Sequence, residues 1–374
     1  MAHERLPFTR PDIDEATIRA VAEVLRSGWL ASGPKVKDFE RRLSVYLRGR
    51  PVRALTSATE ALEIALRAAG VGPGDEVITS AMSFCATANM ILRVGAKPVF
   101  VDVDLDTRNM SLEQAEAAIT QRTRAILPVH FAGLPMNLDA LYSLAQGRDL
   151  RVIEDAAHAI GSTFAGERIG SRGDLVCFSF HPNKNLTTGE GGAIVASSEE
   201  ELQYIDRARF HGIERGPAGE MDVLFPGLKA NMSDIAASIG LGQLARLEEF
   251  NARRRALTDR YFQLWANDCP LRLPARHEGH SWHMFAPLLP CRETGLTRAQ
   301  FILGMDELGV SVGVHYQAIH TFTAYRQLGW QEGMLPNAER IGRETITLPL
   351  FPAMRDADVD RVVEAVNQVL GVIA

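Results

Sequence analysis

The chain has 374 residues, of which 46% are hydrophobic and 23% charged, and its 40 Lys and Arg against 46 Asp and Glu give a net charge of −6. This length favours two or three structural units, and the negative charge argues against a nucleic-acid-binding or membrane-surface protein. The sequence has no apolar leader near residue 1, no run of about 18 apolar residues and no Cys-x-x-Cys motif, so we expect a cytoplasmic protein with reduced thiols.

Two helical patterns come first along the chain. In residues 14–26, apolar side chains recur at helical spacing, and Gly28 follows where the helix should end. A second helix should begin at residues 56–60, where the positive end of the helix and the hydroxyls of Ser57 and Thr59 would favour a phosphate group. A capped helix without any ligand produces the same pattern more often, so both interpretations stay open.

Short apolar runs alternate with helical patterns up to about residue 200. This alternation predicts an α/β fold with a mainly parallel sheet that is covered by helices on both faces. The predicted strands are residues 76–79, 98–102, 125–130, 151–154, 176–180 and 192–196.

Phe84 lies in the loop after the first of these strands. An aromatic ring on such a loop can stack on a flat ligand, although an isolated phenylalanine is more often part of the core.

The strand at residues 151–154 leads into Asp155, at the strand end where open α/β sheets bind ligands. A carboxylate there can keep a pyridine nitrogen protonated, as pyridoxal phosphate requires. The small Ala156 and Ala157 would leave room for a flat ring, and His158 would contact a ring oxygen or orient Asp155. An aspartate that caps the next helix fits the same residues.

Lys184 lies between the apolar runs 175–178 and 193–196, just before a Gly-Glu-Gly-Gly turn. An amine in a site of low polarity loses its proton more easily and can attack a carbonyl group. Ser179, at the end of the first run, would add a hydroxyl group for a phosphate. Together with Asp155, this pattern predicts a lysine that forms a Schiff base with pyridoxal phosphate.

The C-terminal third differs in pattern. A long helical pattern follows Ser233 and runs towards Trp265, and we place a domain boundary within it. The predicted units are a large domain at residues 1–245 and a smaller α+β domain at residues 246–374. The smaller domain should contain strands at 282–289 and 311–316 and helices at 298–308 and 358–369.

His280 and His283 have a His-x-x-His spacing that is found in metal sites. No cysteine or carboxylate follows the same spacing, and on the predicted strand the two rings would point to opposite faces. We therefore predict no metal site.

Taken together, these motifs resemble the DegT/StrS family of nucleotide-sugar aminotransferases over nearly the whole chain. The segments that carry the resemblance are residues 27–34, 95–104, 154–158, 179–192 and 231–234. The resemblance implies fold type I of the pyridoxal-phosphate-dependent transferases, with a mainly parallel seven-stranded sheet flanked by helices and a smaller C-terminal domain.

The resemblance also implies roles for individual residues. Lys184 would carry the cofactor and Asp155 would pair with its pyridine nitrogen, while Phe84 would stack on its ring. The other implied cofactor contacts are Ser57, Ala58, Thr59, Ala157 and Ser179, with the partner subunit's Asn231 reaching the phosphate, so that the protein would be an obligate homodimer. The candidate sugar contacts are Trp29, Lys229, His315 and His320.

The expected reaction transfers an amino group from L-glutamate, releasing 2-oxoglutarate, to a UDP-linked keto sugar. Residues 6–11, 280–285, 313–316 and 348–352 resemble the branch that makes UDP-4-amino-4-deoxy-L-arabinose for lipid A modification.

Four departures leave the sugar open: Phe84 where that branch usually has Trp, residues 227–230, Gln317 where it has Arg, and the lysine segment around Pro182 and residues 187–189. The alternatives are an enzyme for another 4-keto or 3-keto nucleotide sugar, an amino-acid aminotransferase that uses Arg340 or Arg343, and a regulatory protein that binds the cofactor without turnover.

Overall fold

The computed structural model of the chain describes residues 5–265 and 269–371. In chain order, the strands are β1 (Val52–Leu55), β2 (Glu76–Ser80), β3 (Lys97–Val101), β4 (Thr123–Leu127), β5 (Arg151–Asp155), β6 (Thr163–Phe164), β7 (Glu167–Arg168), β8 (Leu175–Ser179), β9 (Gly192–Val195), β10 (Ile213–Arg215) and β11 (Met221–Val223).

The helices are α1 (Glu15–Ser27), α2 (Pro34–Tyr46), α3 (Ala58–Ala68), α4 (Ala86–Arg93), α5 (Leu112–Ala117), α6 (Leu138–Gln146), α7 (Glu199–Ala208), α8 (Asp234–Ala245), α9 (Leu247–Leu264), α10 (Cys291–Thr294), α11 (Arg298–Glu307), α12 (Thr323–Arg326), α13 (Pro336–Glu344) and α14 (Asp356–Val369). Single 3-10 turns lie at Phe131–Gly133 and Ile319–Thr321.

The main sheet has seven strands in the order β1-β9-β8-β5-β4-β2-β3. All neighbouring pairs are parallel except those that β9 makes with β1 and β8. The predicted mainly parallel sheet of fold type I is therefore confirmed. Its parallel strands end at one edge, so the residues that follow β1, β2, β5 and β8 meet there.

Each face of the sheet carries its own apolar layer, because successive side chains of a strand point to opposite faces. In β5, Val152 packs into a layer with Phe39 of α2 and Leu141 of α6. The next residue, Ile153, packs into the other layer, which includes Ile64 of α3. This alternation continues along β5, so that Glu154 and Asp155 also point to different faces.

The N-terminal helix follows the predicted pattern. Asp14 caps α1 by accepting a hydrogen bond from the backbone N–H of Thr17 at 2.8 Å. The helix is followed by Gly28 with φ +73°, a left-handed conformation that glycine adopts without strain.

The prediction of one long helix after Ser233 is wrong. The structure has two helices, α8 and α9, which are separated by Arg246 in a non-helical conformation (φ −106°, ψ 3°). The Arg246 guanidinium group binds the Asp12 carboxylate at 3.1 Å. This ion pair holds the N-terminal segment next to the junction of α8 and α9.

The two strands predicted at residues 282–289 and 311–316 are also wrong. Within the described residues, these segments form only isolated bridges, such as Phe285 with Leu348 and Gly313 with Thr347. Trp282 has φ +50°, which is incompatible with an extended strand.

The C-terminal part has an apolar cluster of its own. Leu257 and Tyr261 of α9 pack there with Phe301 of α11 and Val362 of α14. A boundary near residue 245 stays a prediction, as does the division into two domains.

Candidate active site

A cavity of about 330 Å³ lies at the sheet edge where the parallel strands end. Its lining comes from the start of α3, the loop before α4, the ends of β5 and β8, the loop between β8 and β9, and the segment after α11. The lining residues are Ser57, Ala58, Thr59, Leu62, Ser83, Phe84, Ala86, Thr87, Val129, Asp155, Ala157, His158, Ser179, His181, Asn183, Lys184, Glu190, Gly191, His315 and Tyr316.

Lys184 lies in the loop between β8 and β9, in a turn closed by a hydrogen bond from its backbone N–H to the His181 carbonyl at 2.9 Å. Burial of the ammonium group lowers the pKa of Lys184 to about 8, although the nearby Asp155 carboxylate opposes this shift. A buried amine with this pKa is partly unprotonated near neutral pH, which is the form that attacks a carbonyl group.

The same shift predicts how stability depends on pH in the cofactor-free protein. Between about pH 8 and the ordinary lysine pKa of 10.5 the unfolded chain binds more protons at Lys184 than the folded chain, so stability rises with pH across this window. We expect Lys184→Met to stabilise the folded protein by about 3 kcal/mol at pH 7, with this gain shrinking to near zero by pH 10.5. Urea unfolding at both pH values measures the change, and a gain that does not depend on pH would contradict it.

Asp155 is the last residue of β5, and its carboxylate faces the cavity. It accepts hydrogen bonds from Thr87 Oγ1 at 2.7 Å and from the backbone N–H of Ala157 at 3.1 Å. Burial raises the pKa of Asp155, while these two bonds and the positive charge of Lys184 act in the opposite direction. The carboxylate is thus held in one orientation where Asp155 lines the cavity.

The neighbouring Glu154 serves the other face of the sheet. Its carboxylate binds His130 Nε2 at 2.8 Å and accepts a hydrogen bond from the Tyr142 hydroxyl at 2.6 Å. Of the two acidic residues at the end of β5, only Asp155 lines the cavity.

The start of α3 forms one end of the cavity. Ser57 caps this helix, because its Oγ accepts a hydrogen bond from the backbone N–H of Glu60 at 3.1 Å. Its hydroxyl proton is directed at the Glu60 carboxylate at 3.2 Å, so the capping interpretation holds for Ser57. The first turn still leaves the N–H groups of Ala58 and Thr59 for an anion.

Gly192 allows β9 to pass close to this helix start. A Cβ atom on Gly192 would lie 2.5 Å from the carbonyl carbon of Ser57 and 2.6 Å from the nitrogen of Ala58. The Gly-Glu-Gly-Gly turn in the sequence therefore reflects a close approach of two backbones beside the predicted phosphate position.

His158 does not bind Asp155. Its Nδ1 accepts a hydrogen bond from the backbone N–H of Ala132 at 3.3 Å, and its Nε2 lies 3.1 Å from the Tyr316 hydroxyl. The predicted role of orienting Asp155 belongs instead to Thr87. Neither Thr87 nor Tyr316 was singled out from the sequence, because both come from segments far from β5.

Phe84 stands at the mouth of the cavity with 55% of its surface exposed. Its ring centroid lies 5.9 Å from that of Tyr316. An exposed aromatic ring beside a cavity is consistent with stacking on a flat ligand.

The predicted sugar contacts lie in three different places: in the cavity (His315), in the core (His320) and on the surface (Trp29 and Lys229). His315 lines the cavity, where burial lowers its pKa to about 4 and Thr347 Oγ1 lies 2.9 Å from its Nδ1. His320 does not line the cavity: its ring is fully buried and its Nε2 binds Glu339 at 3.0 Å, so a sugar contact is wrong for this residue.

Trp29, Lys229 and Asn231 lie together on the surface and do not line the cavity of their own chain. Trp29 Nε1 donates to the Ser32 carbonyl, and Asn231 binds both the Ser32 hydroxyl and the Lys229 amine. Trp29 is 59% exposed. We call Trp29, Ser32, Lys229 and Asn231 the Asn231 surface cluster.

His280 and His283 are not on a strand and do not approach each other as ligands. His280 stacks on Trp282 with centroids 3.8 Å apart, and His283 stacks on His158 at 4.5 Å. Within residues 5–265 and 269–371, no three His, Cys, Asp or Glu side chains are grouped in a way that could hold a metal ion.

Comparison with known proteins identifies the chemistry that this geometry serves. The model of the DegT/DnrJ/EryC1/StrS aminotransferase family matches residues 11–367. The chain belongs to this family. Spore coat polysaccharide biosynthesis protein SpsC of Bacillus subtilis (strain 168) is 40% identical over 377 residues, which cover 98% of this chain and 97% of SpsC.

Solved structures of family members have the same fold. The pyridoxal-phosphate form of the putative sugar aminotransferase Spr1654 from Streptococcus pneumoniae is 36% identical, with a TM-score of 0.92 over 99% of this chain and all of that chain. Helicobacter pylori PseC, an aminotransferase involved in the biosynthesis of pseudoaminic acid, is 26% identical, with a TM-score of 0.94 over 99% of this chain and all of that chain.

This member of the DegT/DnrJ/EryC1/StrS family is thus a pyridoxal-phosphate-dependent sugar aminotransferase. The cavity fits the cofactor: it combines a buried amine in Lys184, a carboxylate in Asp155 and a helix start at Ala58. When bound, pyridoxal phosphate supplies an electron sink for the carbanion that forms as the amino group is transferred. None of the described helices is long and apolar enough to cross a membrane.

Proposed function

We propose that this enzyme transfers the amino group of L-glutamate to the 4-keto carbon of a UDP-linked sugar. The first candidate substrate is a UDP-4-keto-pentose, which would give UDP-4-amino-4-deoxy-L-arabinose for a cell-surface glycan such as lipid A. The observation that carries the transamination is the pairing of the buried Lys184 amine with the Asp155 carboxylate in one cavity.

In the proposed reaction, Lys184 would hold the cofactor through its Nζ. As a free amine, the same Nζ would move a proton at the α-carbon of the amino donor, as general base and then as general acid. Asp155 keeps the pyridine nitrogen protonated, and Thr87 fixes the orientation of its carboxylate. The backbone N–H groups of Ala58 and Thr59 hold the phosphate at the positive end of α3.

The proposal includes a homodimer in which each cavity is completed by the other subunit. The Asn231 surface cluster carries exposed polar groups that do not reach their own cavity. Ile18 and Leu25, one face of α1, and Met221 and Val223 of the β10–β11 hairpin are also exposed. A second copy would cover these apolar side chains and bring the partner subunit's Asn231 to the phosphate.

Mixing two impaired variants, at a pyridoxal phosphate concentration too low to saturate Asn231→Ala, tests the shared site. We expect Asn231→Ala to weaken cofactor binding by about tenfold or more, because a hydrogen bond to a charged group is lost. Subunits with Lys184→Ala and Asn231→Ala should regain activity when they are unfolded and refolded together, since one cavity of each mixed dimer then has both residues intact.

Each variant refolded alone is the control for this experiment. Activity in the mixture equal to the average of the two controls would contradict a site shared between subunits.

The choice of sugar is supported by the likeness of residues 6–11 and 313–316 to the arabinose branch. The proposed use of the product in a cell-surface glycan is supported by the similarity to SpsC, which is named for spore coat polysaccharide biosynthesis. PseC is named for pseudoaminic acid biosynthesis, which favours a second candidate, a UDP-4-keto-6-deoxy-N-acetylhexosamine. A dTDP-linked or 3-keto sugar is the remaining alternative within the family.

Transfer between two amino acids has less support. Amino-acid aminotransferases usually bind the substrate α-carboxylate with an arginine late in the chain, and neither Arg340 nor Arg343 lines the cavity. Arg340 binds Glu344 at 3.1 Å, and Arg343 lies 3.7 Å from Glu332.

The test follows the visible absorption of the enzyme loaded with pyridoxal phosphate. L-Glutamate should bleach the visible band, and UDP-4-keto-pentose should restore it. If only a 4-keto-6-deoxy-N-acetylhexosamine or a dTDP sugar restores the band, the proposed substrate is wrong but the proposed reaction is supported. A band that does not respond to any amino donor would favour the regulatory alternative.

A further inference from the structure

We propose that Tyr316 is a hydrogen-bond donor to an oxygen atom of the ligand in the cavity, oriented by a relay through His158. The acceptor is an oxygen that carries or develops negative charge. It belongs either to the phenolic group of the cofactor or to the keto group of the sugar. This inference rests on the proposed function for the identity of both ligands.

The relay begins at the peptide of Ala132. Its N–H donates to His158 Nδ1 at 3.3 Å, and its carbonyl accepts a hydrogen bond from the backbone N–H of His283 at 3.0 Å. A ring nitrogen that accepts from an amide carries no proton of its own. Burial lowers the pKa of His158 well below its ordinary value, so the ring is neutral and its one proton lies on Nε2.

The proton on Nε2 decides the orientation of the neighbouring phenol. Because His158 Nε2 lies 3.1 Å from the Tyr316 hydroxyl oxygen, the histidine donates and the tyrosine oxygen accepts. The hydrogen of the Tyr316 hydroxyl must then point elsewhere. No acceptor for it lies within residues 5–265 and 269–371, and Tyr316 lines the cavity together with Lys184 and Asp155.

Packing holds both rings of the relay. Tyr316 and His158 are nearly parallel, with an angle of 17° between their planes, and His283 stacks on His158 at 4.5 Å. The Phe131 ring meets Tyr316 edge-on, at 88°. A donor that is fixed before the ligand enters needs no reorganisation when charge develops on the acceptor. Burial raises the pKa of Tyr316, so the phenol keeps its proton at neutral pH.

The test compares Tyr316→Phe with Tyr325→Phe. Each variant loses one phenolic hydroxyl and keeps the ring, but the Tyr325 hydroxyl binds Asn89 at 2.5 Å and does not line the cavity. Two quantities are measured: the midpoint of the pH titration of the visible band of the bound cofactor, and the rate of each half-reaction under single-turnover conditions.

If the phenolic oxygen is the acceptor, Tyr316→Phe should raise the midpoint by about one unit, because the deprotonated form of the cofactor loses a donor to its negative oxygen. If the keto oxygen is the acceptor, the midpoint should stay constant. The half-reaction with the sugar should then slow by about 100-fold while that with L-glutamate does not change.

The proposal is overturned if Tyr316→Phe matches Tyr325→Phe in both quantities. If wild-type enzyme shows no visible band with pyridoxal phosphate, the proposed function fails instead, whatever Tyr316 does.

The positioning role of His158 has a separate readout. His158→Leu should reproduce the effect of Tyr316→Phe, and the double variant should add nothing to it, because both changes break one relay. His158→Gln keeps a side-chain N–H donor and should restore most of the wild-type value. Additive effects of His158→Leu and Tyr316→Phe would show that the two residues act separately and would overturn the relay.

Discussion

Replacing Lys184 by alanine is expected to lower kcat by about 10⁴-fold or more. The variant loses both the amine that binds the cofactor and the group that moves the proton at the α-carbon, and either loss alone has a large effect. No other described lysine lines the cavity, so none can replace Lys184. Steady-state turnover and the single-turnover reaction with L-glutamate measure the loss.

The matched control is Lys37→Ala, which removes an exposed lysine of α2. We expect wild-type kcat for this control. Lys184→Ala should still bind pyridoxal phosphate, since the phosphate contacts at α3 are intact, but without the visible band of the wild-type enzyme. Turnover within tenfold of wild type in this variant would remove the basis of the whole assignment.

Replacing Asp155 by asparagine is expected to slow both half-reactions by about 10³-fold. The amide has nearly the same shape. Its oxygen can accept the hydrogen bond from the Ala157 backbone N–H while its NH2 group donates to Thr87 Oγ1, whose own proton can turn to Ser83 Oγ, so the cavity should keep its form. What it lacks is the negative charge that keeps the pyridine nitrogen protonated, and without that proton the electron sink is weaker.

Glu154→Gln is the control for this prediction, because it removes the adjacent charge on the opposite face of the sheet. Its partners are His130 and Tyr142, so we expect a loss of stability with rates within about threefold of wild type. The two variants are compared by single-turnover rates, by cofactor affinity and by thermal unfolding. Equal rate losses in both variants would show that Asp155 acts through packing and not through its charge.

The sheet and the two main catalytic candidates could be predicted from the sequence because their signals are local. Strands such as β5 and β8 are buried on both faces and appear as continuous apolar runs. In a parallel sheet the residue after such a run lies at the ligand-binding edge, so the pattern predicts that Asp155 and the loop of Lys184 lie at the same edge.

The predictions that failed concern segments where local pattern and tertiary contacts disagree. The apolar residues 282–289 have the composition of a strand, but the positive φ of Trp282 and the stacking of its ring on His280 prevent one. His320 was predicted to contact the sugar, yet the carboxylate of Glu339 on α13 holds it in the core. Neither partner is recognisable from the sequence around these residues.

By itself, the sequence determined the class of fold, the cofactor chemistry and the pair Lys184 and Asp155, because apolar periodicity and strand ends are properties of neighbouring residues. Only the tertiary structure decided which groups surround that pair. Thr87 binds Asp155 across 68 positions of the chain, and Tyr316 binds His158 across 158. Such contacts depend on how helices and loops pack around the sheet, and this packing is set by the whole chain and not by any local pattern.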